Sequence, residues 1–299
     1  MNTNLLNEYN VVRENGIGFY EQNRGLIEVS GKEAVQFLNG LITNDAVKLE
    51  ENKQMLAAFP NAQGRLLAVV RVLRLGDKFL FETEVETYEK VLKNLQRFTF
   101  AGDFFVEDLS SDFRYFEITD SKFQISNPSF IEFQNRFGVN VFVPKALGED
   151  FLSELKNKNA ARISDELYEI LRIENGIPKY GVDADENTIV PELGIEDLIS
   201  YNKGCYIGQE IIARIHFRGH IAKQLTGLIL ENEAQPNDEL KSLDGKNAGK
   251  ITSVTFSPKL EKFIALAFVR YGYLAEDTEL TINDTTATVK NLPFIERIS

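Results

Sequence analysis

Hydrophobic residues in the first two thirds of the chain recur at helical spacing in three places. This spacing predicts helices over 31–42, 84–98 and 165–174, each with one buried face. Ser30 and Glu33 at the start of the first helix have the spacing of a capping box, which predicts Ser30 as the N-cap and a Glu33 side chain that reaches back to it.

Between the first two helices the apolar pattern is typical of strands. Residues 65–75 and 78–83 are rich in aliphatic and aromatic side chains, and Gly76 and Asp77 between them suit a tight hairpin. Helices mixed with hairpin-forming strands predict an α+β fold with antiparallel sheets.

The pattern changes after about residue 222. Short apolar strands follow one another, separated by clusters of Asp, Gly, Asn and Pro, as in a small all-β barrel or sandwich. A chain of 299 residues also exceeds the usual size of one hydrophobic core. We therefore expect an α+β region of two intertwined subdomains over 1–222 and an all-β domain over 223–299.

Composition narrows the class of protein. A single cysteine excludes an intrachain disulfide and fits a reducing compartment, so the expected location is the cytoplasm. No run of apolar residues approaches the length of a transmembrane helix, and the first residues do not resemble a secretory signal, so no membrane association is expected.

The net charge of −12 disfavours non-specific nucleic-acid binding by the whole surface, but one window is basic. Residues 201–224 contain both histidines, the only cysteine and four cations against one carboxylate. These charged residues are Lys203, Arg214, Arg218, Lys223 and Glu210. Clustering of the rare titratable residues predicts a functional site here, and a weak RNA contact stays open.

Four segments carry a family resemblance. Residues 203–210, KGCYIGQE, resemble the signature of the folate-binding YgfZ family, relatives of the glycine-cleavage T-protein. Residues 37–45 (FLNGLITND), 172–178 (RIENGIP) and 190–194 (VPELG) are similar to further segments of the same family, in the same order. The resemblance extends from about residue 20 to the end of the chain.

The resemblance implies a T-protein-like fold, with antiparallel sheets, ferredoxin-like elements and a C-terminal β-barrel. It implies tetrahydrofolate, or a one-carbon derivative, as cofactor. It also implies a role in iron–sulfur cluster assembly or repair that affects iron–sulfur-dependent tRNA modification. Expected partners are folate and iron–sulfur client or assembly proteins.

One departure separates this chain from the T-protein itself. The T-protein has a G-G-x-x-D-D segment whose aspartate serves aminomethyl transfer, whereas Ala68 and Val69 stand at the matching positions here. Aliphatic side chains can neither accept nor hold a proton. The alternative function, a folate-dependent aminomethyl or one-carbon transferase, is therefore disfavoured.

Cys205 is the candidate catalytic residue. Without context, a lone cysteine is most often a small buried apolar residue. Here Gly204 favours exposure, while Lys203 and a helix start expected near Gly208 favour the thiolate form. Persulfide or disulfide exchange, transient metal contact and contact with a redox partner all stay open as its chemistry.

A resident metal is not expected. An iron–sulfur cluster needs about four ligands, mostly cysteine thiolates, and the chain has one cysteine. A zinc site built from Cys205, His216 and His220 would lack a fourth ligand. The histidines are therefore interpreted as surface or hydrogen-bonded residues.

Four further residues are folate candidates. The matching T-protein glutamate implies that Glu192 accepts two parallel hydrogen bonds from the N–H and amine of the pterin edge. Lys223 lies near a basic position that contacts folate in the T-protein, although a surface lysine is equally compatible. Asn44 and Asp45 either line the pocket or form a turn after the first helix.

The remaining candidates belong to the motif and to the basic window. The two glycines of the motif are interpreted as backbone geometry around the cysteine. The cations would meet the glutamate tail of folate or RNA phosphates, or form a solvated helix face. The full set is Lys203, Gly204, Tyr206, Gly208, Gln209, Glu210, Arg214 and Arg218.

Overall fold

The structure is a computed structural model that describes residues 3–13, 16–97, 99–100, 102–120, 122–134, 138–283 and 285–295. The helices are α1 (Thr3–Arg13), α2 (Ala34–Leu41), α3 (Val85–Gln96), α4 (Gly148–Asn157), α5 (Asp165–Glu174) and α6 (Gln209–Arg218). The strands of the first half are β1 (Gly18–Gln22), β2 (Arg24–Ser30), β3 (Gln54–Pro60), β4 (Leu66–Leu75), β5 (Lys78–Glu84), β6 (Phe105–Asp108), β7 (Phe113–Ile118), β8 (Ile131–Gln134), β9 (Val139–Pro144) and β10 (Ala161–Arg162). The later strands are β11 (Lys223–Leu230), β12 (Glu239–Lys241), β13 (Asn247–Ser257), β14 (Lys262–Arg270), β15 (Glu279–Ile282) and β16 (Thr285–Lys290).

Contacts divide the chain into two compact units, each assembled from separate segments. The first unit combines Met1–Glu21, Tyr115–Asp183 and Ile221–Ser299. The second combines Gln22–Arg114 and Ala184–His220.

The first unit contains the barrel that the sequence predicts. Strands β11 to β16 close in the order β11-β14-β13-β12-β15-β16, and neighbouring strands pair antiparallel. A separate sheet has the order β10-β1-β7-β9-β8, in which the short β10 runs parallel to β1. The predicted α+β fold with a C-terminal barrel is confirmed.

A buried carboxylate joins the three segments of the first unit. Glu174, the last residue of α5, is inaccessible to solvent. It accepts hydrogen bonds from the Tyr9 hydroxyl (2.8 Å) and the Ser257 hydroxyl (2.5 Å), and it pairs with Arg13. Its backbone oxygen accepts from the Phe294 N–H at 2.9 Å. A buried carboxylate needs such partners, because unpaired burial of its charge is strongly unfavourable.

The second unit is a sheet covered by helices. Its strands have the order β3-β4-β5-β2-β6, and the apolar faces of α2 and α3 pack with them in one buried cluster. The predicted hairpin is confirmed: β4 pairs with β5, and Gly76 in the turn has a φ of +62°. Positive φ favours glycine, because it has no Cβ.

The predicted capping box at α2 is wrong. The helix begins at Ala34, and Glu33 at the N-cap position makes no side-chain capping bond. The Glu33 carboxylate instead accepts a hydrogen bond from the backbone N–H of Asp103 at 2.6 Å. A partner distant in sequence has replaced the local one.

Within the described residues, no helix combines the length and apolar character needed to cross a membrane.

Candidate functional site

The KGCYIGQE motif forms a loop that leads into α6, and the loop is anchored on both sides of the cysteine. Before it, the Lys203 ammonium donates to the backbone oxygens of Ile42 (2.8 Å) and Asn44 (2.6 Å). After it, the Ile207 N–H donates to the Gly40 oxygen at 3.0 Å. Cys205 lies between these anchors and is exposed. The thiol is therefore presented to solvent on a loop held against the end of α2.

The two glycines of the motif differ in what surrounds them. Gly208 has a φ of +78°, and a Cβ there would overlap the backbone oxygen of Asn61. It also packs on Gly64, which itself has a φ of +71° in the turn between β3 and β4. Gly204 has open space around its Cα. Close packing thus requires glycine at 208 and not at 204.

Lys203 and Tyr206 make the motif loop an electrostatically distinct place. Burial lowers the pKa of Lys203 to about 8, and the nearby Asp45 carboxylate opposes that shift. The Lys203 ammonium also lies 5.0 Å from the centre of the Tyr206 ring. Burial raises the pKa of Tyr206 to about 12, and Tyr201 adds to the increase. At neutral pH the loop carries a desolvated cation over a neutral phenol.

Glu192 lies in a short 3-10 turn, Val190–Leu193, and is buried with 5 % of its surface exposed. Its carboxylate accepts from the Ile189 N–H at 3.1 Å, which orients the side chain. The turn is attached to the β3–β4 turn, because the Val190 N–H donates to the Gly64 oxygen at 3.1 Å. Gly64 therefore contacts both the Glu192 turn and the start of α6.

Asn44 and Asp45 form the turn after α2, one of the two roles that the sequence left open. The Asn44 amide donates to the Leu56 oxygen (2.8 Å) and to the Asp197 oxygen (2.7 Å), and its own oxygen accepts from the Asp45 N–H (2.8 Å). The turn joins β3 to the loop before the motif. Asp45 is largely buried and pairs with Lys48 at 3.5 Å.

An open cleft of about 540 Å³ lies beside this turn. We call it the aromatic cleft. The residues that line it include Asn44, Asp197, Tyr201, Asn202, His216 and Phe217. The Tyr201 and His216 rings are stacked, with centroids 3.6 Å apart and an 11° angle between their planes. Phe217 stands edge-on to His216, with centroids 4.7 Å apart. Of the predicted folate candidates, only Asn44 lines this cleft.

The other members of the predicted set are distributed over α6 and the barrel. Gln209 begins α6, and its side-chain oxygen accepts from the Tyr206 N–H at 3.1 Å. Glu210, Arg214 and Arg218 are exposed on the same helix. Lys223 is the first residue of β11 in the first unit, where its ammonium lies 4.3 Å from the centre of the Phe268 ring.

The histidines and the cysteine do not form a metal centre among the described residues. His216 is within α6, whereas His220 follows the end of that helix at Arg218. Across the part of the chain that the structure describes, no group of three or more His, Cys, Asp and Glu side chains could hold a metal ion.

Two protein-family models match separate parts of the chain. Residues 1–120 match the GCVT N-terminal domain, and residues 223–295 match the glycine cleavage T-protein C-terminal barrel domain. The chain thus matches both domains of the glycine cleavage T-protein, the N-terminal domain and the C-terminal barrel. The segment between the two matches contains the Glu192 turn and the KGCYIGQE motif, so these parts of the candidate site lie outside both matched domains.

The similar proteins carry names of two functional kinds. An aminomethyltransferase of Thermoanaerobacter pseudethanolicus is 25 % identical and covers 94 % of this chain and 86 % of its own. An aminomethyltransferase of Thermotoga maritima is 27 % identical, with 89 % and 82 % covered. The mitochondrial iron–sulfur cluster assembly factor IBA57 homolog of Mycosarcoma maydis is 26 % identical, with 69 % of this chain and 55 % of its own covered.

A solved structure shows the fold. The glycine cleavage system aminomethyltransferase T of Bartonella henselae superposes with a TM-score of 0.85 at 18 % identity, covering 98 % of this chain and 90 % of its own. The T-protein-like fold expected from the sequence is therefore confirmed. At this identity the similarity concerns architecture alone.

Proposed function

We propose that this chain is a tetrahydrofolate-binding accessory protein of iron–sulfur cluster assembly or repair, of the YgfZ type, and that Cys205 is its reactive group. The observation that carries the proposal is the presentation of Cys205: an exposed thiol on a loop held by Lys203 on one side and Ile207 on the other. Iron–sulfur-dependent tRNA modification would be affected downstream of this role. The name of the Mycosarcoma maydis relative supports the same direction.

Tetrahydrofolate is the proposed cofactor, with Glu192 at its pterin end. The carboxylate is buried and is already oriented by the Ile189 N–H, as a site for two parallel charge-assisted bonds requires. Lys223, Asn44 and Asp45 remain further candidates for folate contact. The iron–sulfur proteins that the chain would serve are its proposed partners.

Aminomethyl transfer is the second candidate, because the aminomethyltransferase relatives match nearly the whole chain. The site argues against it. Ala68 is buried in β4, and Val69 follows it, so neither position supplies the carboxylate that the T-protein reaction needs. Loss of general acid–base help slows a reaction by about 10²–10⁴-fold. Formation of methylene-tetrahydrofolate from an aminomethylated lipoyl donor at a useful rate would favour this second candidate.

The test of the proposal is Cys205→Ser. Because the side chain is exposed, we expect the free energy of unfolding to change by no more than about 0.5 kcal/mol and tetrahydrofolate binding to persist. The activity of iron–sulfur-dependent enzymes in cells lacking the parent protein should not be restored by this variant. The purified parent should also react with a maleimide while folded.

Ala275→Ser is the matched control, since it places serine at another exposed position, in the loop between β14 and β15 and outside the sites described above. It should restore enzyme activity like the parent. Restoration by Cys205→Ser as well would show that the thiol is not the reactive group.

A further inference from the structure

The aromatic cleft presents an exposed ring face in a recess. Phe217 is 64 % exposed although it is a large apolar side chain, and it lies at the C-terminal end of α6. The stacked pair of Tyr201 and His216 packs against it, since both rings meet the Phe217 ring edge-on at angles of 78° and 84°. A fixed, exposed aromatic face is a surface on which a planar ring stacks.

A second part of the cleft lining supplies polar groups, the exposed side chains of Asp197 and Asn202. Among the described residues, no side-chain partner is found for the Asp197 carboxylate or the Asn202 amide, although both line the cleft. The backbone of this part is fixed, because Asn44 donates to the Asp197 oxygen and Thr43 donates to the Leu198 oxygen at 2.7 Å. A carboxylate on a fixed backbone can accept two parallel hydrogen bonds from neighbouring donors.

We propose that the aromatic cleft binds a planar heteroaromatic ring that carries adjacent N–H and amine donors, stacked on Phe217 with its donor edge on Asp197. Guanine and pterin rings share this edge. The volume of about 540 Å³ lies within the usual range of small-ligand sites. The proposed function assigns the donor edge of the pterin to Glu192, which does not line the cleft, so a guanine nucleotide is the occupant that leaves that assignment unchanged. The pterin source rests on the proposed function and would move the pterin edge from Glu192 to Asp197.

The cleft is coupled to the motif loop through shared residues. Asn44 lines the cleft and holds Lys203 with its backbone oxygen. Tyr201, in the cleft wall, is close enough to Tyr206 to raise the pKa of that phenol. A ring bound in the cleft would therefore contact the same framework that presents Cys205. Arg214 and Arg218, exposed on α6, offer cations to an anionic tail such as a phosphate.

Calorimetric titration of the full chain with GMP, AMP and tetrahydrofolate tests the proposal. GMP should bind more tightly than AMP, because adenine lacks the paired N–H and amine donors. Phe217→Ser should weaken binding of the cleft ligand about 5- to 150-fold, the scale of one stacking contact, while Phe217→Tyr retains it. Asp197→Asn should remove the preference for GMP over AMP.

Phe105→Ser is the matched control, because Phe105 is 62 % exposed but lies on strand β6. It should leave every affinity unchanged, and circular dichroism should show all four variants folded. Weakening of GMP or of tetrahydrofolate in both Phe217→Ser and Asp197→Asn supports the proposal and identifies the source of the ring. The proposal is overturned if Phe217→Ser and Asp197→Asn both leave the affinities for GMP and for tetrahydrofolate unchanged. Tetrahydrofolate binding that persists unchanged in those variants would remove the cleft from folate binding while leaving the proposed function standing.

Discussion

At the scale of single residues, Glu192 is the most direct test of the folate proposal. Glu192→Gln keeps the shape of the side chain but replaces a charged acceptor with an amide that presents a donor to the donors of the pterin. Tetrahydrofolate binding should weaken by about 1.5–3 kcal/mol, the scale of a hydrogen bond to a charged group. Calorimetry measures the difference.

Glu196→Gln is the control for Glu192→Gln, since Glu196 is an exposed carboxylate four residues further along. Its affinity should equal that of the parent. Equal affinity for Glu192→Gln would mean that the buried carboxylate serves its own turn and not a ligand.

The lowered pKa of Lys203 predicts how the free energy of unfolding changes with pH. Since burial lowers its pKa to about 8, the folded chain loses this proton at a lower pH than the unfolded chain does. Unfolding between about pH 8 and the usual lysine range then takes up a proton, so the contribution of Lys203 to the free energy of unfolding rises with pH in that window. Urea unfolding of the parent and of Lys203→Met from pH 7 to 10 should give curves that diverge above pH 8.

Lys48→Met is the control for loss of a positive charge near the same turn, as Lys48 is largely exposed and pairs with Asp45. Divergence for Lys203→Met alone supports the burial of its ammonium. Parallel curves for Lys203→Met and the parent would contradict it.

At the scale of elements, the motif loop needs a single glycine for its packing. Gly208→Ala puts a Cβ against the Asn61 oxygen at a positive φ, and should destabilise the fold by about 1–3 kcal/mol. Gly204→Ala meets open space and should change stability by no more than about 0.5 kcal/mol. Urea unfolding compares the two, and equal losses would show that the contact between the β3–β4 turn and α6 is not tight.

Local elements were predictable from the sequence because their causes are local. The β4–β5 hairpin follows from apolar strands around Gly76, and the start of α6 follows from Gly208. The Glu33 contact with Asp103 was missed, because a capping pattern says nothing about a competing partner 70 residues away.

The candidate site was predictable only in part, because the motif is local in sequence and its contacts are not. The motif picked out the exposed Cys205, but its neighbours come from distant segments. The Lys203 bonds to Ile42 and Asn44 cross about 160 residues. The aromatic cleft needs Tyr201 and His216 stacked, which the helical path of α6 arranges and no short motif encodes. Three aromatic residues and both histidines within one basic window were the available signal.

At the scale of the whole molecule, one carboxylate bonds to all three segments of the first unit, which are far apart in sequence. Glu174 in the middle segment bonds to Tyr9 and Arg13 of the first segment and to Ser257 of the barrel. Such contacts attach the C-terminal barrel to the other two segments of the first unit. If the negative charge of Glu174 is removed, the guanidinium of Arg13 loses its ion-pair partner within a buried polar cluster.

Glu174→Gln should therefore lower the free energy of unfolding by about 3–5 kcal/mol, the usual loss when one partner of a buried ion pair is removed. Glu166→Gln, at an exposed position of the same helix, is the matched control and should stay within about 0.5 kcal/mol of the parent. Hydrogen exchange should increase in α1 and in β13 together, because both bond to the same side chain. A loss below about 1 kcal/mol, or faster exchange confined to α1, would show that the barrel is held to this unit by its apolar contacts with α5 and not by Glu174.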